Sequence, residues 1–367
     1  MAYIPEFYQL SKLKAATINA IGTDIGAPVV VSDLATLHQY GSYITSTTAT
    51  QNAFCNALIN QIAKVVYASK SYQNSLKLFK KGILGYGELV EDIFVEIANG
   101  YARNEDLSGI SESSTTVITP ADVKTTFYMS NARTVYSVSI RRADLDKAFQ
   151  TFEGVDELIN RIVDSLNRGH EYDEYILTKY KLGQLALAGY DNALTVTNSG
   201  DNEKDAKAVL TAARATVGEL KFMRSDRNIA EVLTATAPED IGCVLSTDTE
   251  ANVDVNALAA AFNLGYADFI GKRVEVNGFA MTDAEVKRYR NIIGDETAVP
   301  FTDDEKAKLA KVKMIVCDID AVKIYDTHEP YFTEDYNGRD DVRTYHLHTD
   351  SAYAICPFAN FRVIAEA

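Results

Sequence analysis

From Val155 to about Leu187 apolar residues return at the spacing of one helical face: Leu158, Ile159, Ile162, Val163 and Leu166 form a stripe, and Tyr172, Tyr175, Ile176 and Tyr180 continue it. Asp156 and Glu157 stand in the first turn, where the helix dipole favours carboxylates. At 1.5 Å per residue such a helix is on the order of 50 Å long, more than a small globular domain needs. It reads as a beam to which other elements attach, with Gly169 as the position where a kink is expected.

What precedes the beam has a different texture. Residues 1–50 carry little sustained periodicity and end in the small polar run Thr45–Thr50, which suits an extended arm. Phe54, Leu58, Ile62, Val65 and Val66 then recur at helical spacing within Gln51–Leu78 and predict a helix. Ile93, Val95 and Ile97 alternate with their neighbours, as do Tyr136, Val138 and Ile140, so two strands are expected that could pair. Between them Asn104–Pro120 is dominated by Ser, Thr, Gly and acidic residues, the composition of a solvated tip. Together these read as a long projecting β-hairpin. After the beam come helices over about Lys204–Leu220 and Val255–Phe262 and a polar helical pair within Thr282–Lys313. Strands are expected at Ile241–Leu245, Lys272–Val276, Val312–Val316, Val322–Tyr325, Thr344–Thr349 and Ala352–Ile364. Helix and sheet mix without a βα repeat, so the fold class is α+β.

Bulk properties exclude several functions. In 367 residues, 36 Lys and Arg stand against 51 Asp and Glu, a formal charge of −15 and the wrong sign for gripping phosphates by counterion release. A like-charged wall can still enclose nucleic acid without holding it. No apolar run approaches the roughly 18 residues of a bilayer span, and the first nine residues lack the pattern of a signal peptide, so a soluble, unexported protein is expected. Cys55, Cys243, Cys317 and Cys356 are widely separated, form no CxxC pair and read as buried small hydrophobes.

Catalytic machinery finds little support. Gly82, Gly85 and Gly87 are spaced GxxGxG without a following GK[ST], which suits backbone turns better than a phosphate cradle. Asp318 and Asp320 form a DxD, and His346 and His348 share one face of an expected strand, as two metal ligands could. A catalytic metal wants a third protein ligand, for which His328 is the available candidate. No GxSxG, HExxH or EF-hand loop occurs, and no cofactor is implied.

Four stretches carry a resemblance. Leu76–Gly82 with Glu91–Phe94 form the first and Asp122–Phe127 the second. Asp144–Phe149 follows, then Val253–Asn263 running into Asp268–Gly271 and Val276–Ala280. The tail, Tyr325–His328 through Pro357–Asn360, is similar too. In this order they resemble the major capsid proteins of small Bacillus podoviruses of the Salasmaviridae type, tailed phages of the Caudoviricetes. That resemblance implies a Hong Kong 97-type capsid fold. It assigns residues 1–50 to an N-terminal arm, 51–75 to a joining helix and 76–143 to an extended β-hairpin loop. Residues 144–214 become a peripheral domain with a spine helix at about 153–187, 215–340 an axial domain, and 341–367 strands returning to the peripheral domain.

The implied function is structural. Copies of the chain would form pentamers and hexamers of an icosahedral or prolate head, with a scaffolding protein during assembly and a portal protein at one vertex. Double-stranded DNA would be enclosed without sequence-specific binding, and no membrane is involved. The expected place is the virion, after assembly in the bacterial host cytoplasm. Candidate contact residues between subunits are Lys80, Lys81, Glu91, Asp92, Lys124, Arg141 and Arg142. Alternatives are an encapsulin-like cargo shell and, more distantly, a metal-dependent enzyme using the DxD and the three histidines.

Overall fold

A computed structural model of the chain describes residues 26–47, 74–84, 89–98, 122–141, 152–252 and 272–367, together with 19, 22, 23, 49, 50, 53 and 54. For 152–164 the backbone alone is described. The predicted beam is present as helix α2, Phe152–Ala188, 37 residues long and continuous through Gly169. Two compact units divide the chain. The first comprises Met1–Asn74, Arg133–Glu174 and Glu329–Thr349, and the second Ser75–Ala132, Tyr175–His328 and Asp350–Ala367.

In the first unit, part of the expected extended arm is a helix. Asp33 accepts the Thr36 N–H at 2.8 Å and Thr36 Oγ1 accepts the Asp33 N–H at 3.0 Å, a capping box that starts α1, Leu34–Ser46. Leu37, Tyr40 and Ile44, spaced three and four apart, are fully buried, and Tyr40 meets Phe54 edge-on at 6.3 Å. The apolar residues are few, which is why the helix was missed, but they lie on one stripe.

Among its described residues the same unit holds three strands. Strand β10, Tyr331–Asn337, runs antiparallel to the first half of β11, Val342–Ile355, from Tyr331 opposite His348 to Asn337 opposite Val342. On the other side of β11 lies β4, Ala132–Arg141. Hydroxyl and imidazole groups mark that pairing: Thr134 with Thr349 at 2.8 Å, Ser137 with His346 at 2.7 Å and Ser139 with Thr344 at 2.9 Å. The two carboxyl-terminal strands expected from the sequence are therefore divided differently. β11 runs unbroken to Ile355, and β12, Phe361–Glu366, begins after Pro357, which has no N–H to offer a ladder.

The second unit is organised by a five-stranded sheet in the order β5, Leu194–Val196; β12; β8, Val312–Asp318; β6, Ile241–Ser246; β7, Lys272–Val276. The two outer pairings are parallel and the two inner ones antiparallel. Helix α3, Asn202–Leu220, lays Val209, Leu210 and Ala213 into one core cluster with Cys243, Leu245, Met314 and Ile364. A short helix α4, Thr247–Asn252, follows β6. The expected polar helical pair is α5, Asp283–Ile293, and α6, Asp303–Lys311; each opens on a Thr-x-x-Glu capping box, at Thr282 and Thr302.

Two further features belong to this unit. The 3-10 turn Ser75–Phe79 leads into β1, Lys80–Ile83, which pairs in parallel with β9, Val322–Asp326; β9 pairs antiparallel with Ser351–Ile355 of β11. A separate ribbon is made of β2, Leu89–Val95, and β3, Val123–Met129. The expected partner of the Ile93–Ile97 run was Tyr136–Ile140, but that run lies in β4 against β11. Alternation identifies a strand and not its neighbour. The helices expected over Gln51–Leu78 and Val255–Phe262 lie largely or wholly outside the described residues, as does the Asn104–Pro120 tip. Among the described residues no helix is long and apolar enough to cross a membrane.

Candidate subunit-contact surface

The ribbon of β2 and β3 has two unlike faces. Its antiparallel register sets Leu89 opposite Met129, Glu91 opposite Phe127, Ile93 opposite Thr125 and Val95 opposite Val123, so these residues share one side. The even-numbered side chains face the rest of the second unit. There Asp92 takes the Lys323 ammonium at 2.5 Å, Phe94 stacks on Phe358 at 5.6 Å, and Lys124 reaches the Ala230 carbonyl at 3.5 Å. Burial lowers the Lys323 ammonium, but the bond to Asp92 and the charges of Asp92, Cys356 and Tyr325 around it together hold it above the ordinary lysine value. Tyr128 is buried here too, and burial pushes its phenol well above the usual range.

The odd-numbered side is turned to solvent, yet it is the apolar one. Leu89, Ile93, Val95, Val123, Phe127 and Met129 are each half exposed or more, Ile93 by 60% and Met129 by 66%. Glu91 is the only ionisable group on this side of the paired strands. A half-buried sheet ordinarily keeps its apolar alternation for the core and its polar alternation for water. Here an ion pair is covered and six large apolar side chains are not. Contiguous exposed apolar surface marks an interaction site.

The charged contact candidates divide along the same line. Lys80 pairs with Asp326 at 2.9 Å, Lys81 pairs with Asp320, Asp92 with Lys323, and Lys124 with a backbone carbonyl, all within the chain. Glu91 and Arg141 are exposed, and Arg142 lies outside the described residues. The six apolar residues were missed because alternation alone does not reveal which side of a strand is covered.

The candidate metal ligands do not converge. Asp318 accepts the Asp320 N–H at 2.8 Å, and burial holds its carboxyl above the ordinary range. His328 pairs with Asp350 at 3.1 Å. His346 lies between Ser137 and Asp335, the latter at 3.3 Å, while His348 stacks on Tyr331 at 4.7 Å and bonds Thr333 at 2.8 Å. Among the described residues no three His, Cys, Asp or Glu side chains are brought together as a metal site. Cys243, Cys317 and Cys356 are buried free thiols, and burial pushes Cys243 up to about 12. Cys55 lies outside the described residues.

The fold is that of an α+β capsid-type subunit, as its likeness to known proteins shows. The capsid structure of Staphylococcus phage Andhra contains a chain of similar fold, with a TM-score of 0.56 and 16% identity over 82% of this chain and 86% of that one. In sequence, the major capsid protein of Bacillus phage GA-1 is 34% identical over 240 residues, 63% of this chain and 49% of its own. That of Bacillus phage PZA is 28% identical over 275 residues, 73% of this chain and 59% of its own. The chain thus spans about half the length of the curated relatives it matches. Residues 15–365 match the model of the Phi29-like phage major capsid protein family, and the chain belongs to that family. Major capsid proteins form the shell of the virion.

Proposed function

We propose that this chain is a shell subunit that assembles with copies of itself into pentamers and hexamers, building an icosahedral or prolate phage head around double-stranded DNA. The observation that carries this reading is the outward apolar face of the β2–β3 ribbon, an unusual expense in a protein meant to stay monomeric. Family membership favours a head shell over an encapsulin-like container or a metal-dependent enzyme. In this reading the role is structural, with no catalytic step, and the site of action is the virion after assembly in the host cytoplasm. A scaffolding protein and a portal are the accompanying partners, and the charge of −15 suits a wall that encloses DNA without adhering to it.

The ribbon, within residues 76–143, serves as the extended loop; α2 serves as the spine of the peripheral domain, and residues 215–340 as the axial domain. Residues 1–50 act as an arm that includes α1. Glu91, Arg141 and Arg142 supply charged rims to the contacts. Lys80, Lys81, Asp92 and Lys124 act indirectly, by fixing β1 and the ribbon on their own chain.

The test is Phe127→Asp combined with Ile93→Asp, purified after expression in bacteria. Expected are a folded chain by circular dichroism and no closed particles by negative-stain microscopy, where the parent chain forms them. Closed particles of unchanged size and yield would overturn the reading.

A further inference from the structure

A ring of identical copies joined head to tail needs two different surfaces on each copy, one to give and one to receive. The ribbon face is one. Outside it, the described residues hold a second local group of exposed large apolar side chains, Phe222, Met223, Ile229 and Leu233, within the turn that joins α3 to β6. Phe222 is 70% exposed.

This turn is rigidly built. Arg224 and Thr234 exchange backbone hydrogen bonds at 3.1 and 3.3 Å, and Arg224 grips Asp226 through two bonds of 2.9 Å. The buried Asn228 side chain donates to the Val232 carbonyl at 2.7 Å and accepts the Val232 N–H at 2.8 Å. Glu231 sits at φ 53°, a left-handed conformation that costs a side-chain-bearing residue and gathers at functional sites. A flexible loop would fold such side chains away. This one holds them out, which is the preorganisation that lowers the entropy cost of docking.

We propose that the turn Lys221–Leu233 is the receiving surface, on a second copy of the chain, for the outward face of the β2–β3 ribbon. The inference rests on the reading that copies join through that ribbon. The chemistry matches: four exposed apolar side chains meet six others. The charges match as well: Glu91 is the single ionisable group of the paired ribbon face, and in the turn Lys221, Arg224 and Arg227 outnumber Asp226 and Glu231, with Lys221 exposed at its edge.

The experiment places the photo-crosslinking residue p-benzoylphenylalanine at position 127 and assembles particles from a mixture of ¹⁵N-labelled and unlabelled chains. Irradiation is expected to join position 127 to a peptide within 221–233, in pairs of mixed isotope. Mixed pairs on a different segment would overturn the receiving role of the turn while leaving the ribbon contact intact. Same-isotope pairs alone would overturn both.

Charge exchange gives an independent readout. Glu91→Lys and Lys221→Glu are each expected to raise the concentration needed for assembly about tenfold, as like charges meet. The double exchange should restore it to within about twofold. Failure of that rescue, with both single variants folded, counts against the pairing.

Discussion

Glu285→Gln isolates the buried ion pair that ties α5 to α2. Lys179 is fully buried and Glu285 is 2% exposed, with the ammonium 2.8 and 3.1 Å from the two carboxylate oxygens and 2.6 Å from Asn277 Oδ1. Glu285 also accepts the Thr282 N–H at 2.8 Å, closing the capping box of α5. Burial works to raise its carboxyl, but Lys179 and Thr282 outweigh it and hold it below the ordinary value; burial lowers the Lys179 ammonium against the pull of Glu285. Glutamine keeps the shape and removes the charge, stranding the ammonium. The chain can escape by releasing the Lys179 proton, which caps the electrostatic loss. Neutralising a lysine of ordinary pKa, about 10.4, takes about 4.6 kcal/mol at pH 7 and about 1.9 kcal/mol at pH 9. The expected destabilisation is therefore about 3–5 kcal/mol at pH 7, the range for breaking a buried pair, falling to about 2 kcal/mol at pH 9. Urea denaturation of the unassembled chain, followed by far-ultraviolet circular dichroism at both pH values, measures it against the parent. Lys179→Met with Glu285→Leu removes both charges together and should cost less than the single change. A loss below about 1 kcal/mol at pH 7, or equal losses at pH 7 and pH 9, would refute the reasoning.

Two further outcomes follow from local geometry. At Gly183 a Cβ would stand 2.6 Å from Phe301 Cζ and 3.4 Å from the Phe279 carbonyl oxygen, so Gly183→Ala should destabilise by about 1–3 kcal/mol in the same assay. Burial raises the Asp318 carboxyl in the folded chain, so its contribution favours the fold below the unfolded pKa and is lost as pH rises through the raised value. Asp318→Asn keeps an acceptor for the Asp320 N–H and is expected to raise the melting temperature at pH 7, with no gain near pH 3.5.

The sequence makes some elements plain and leaves others closed, for identifiable reasons. Helix α2 is legible because its periodicity extends over many turns, and α5 and α6 because Thr-x-x-Glu marks their starts. Strands β6 and β8 announce themselves as short apolar runs, and β7 by the alternation of Val274 and Val276 with charged neighbours. Helix α1 is nearly invisible, since three buried side chains suffice once Asp33 caps it. The pairing of β2 with β3 joins residues across an intervening segment and depends on tertiary contacts that local pattern does not encode. Legibility is lowest at the proposed contact surface. Ile93, Val95 and Ile97 are legible as one side of a strand, but the outward turn of that side depends on Lys323 and Phe358, more than two hundred residues away, which cover Asp92 and Phe94.

The solvent-facing apolar side of the ribbon also sets a temperature signature. Burying such surface is driven by water's entropy near 25 °C and weakens on cooling, so a joint built on it loosens in the cold and tightens on moderate warming. Repulsion among chains of charge −15 opposes the same joint and is screened by salt. Shells held this way grow when warmed in salt and come apart when chilled in dilute buffer, so an ice bath becomes a means of taking the container to pieces.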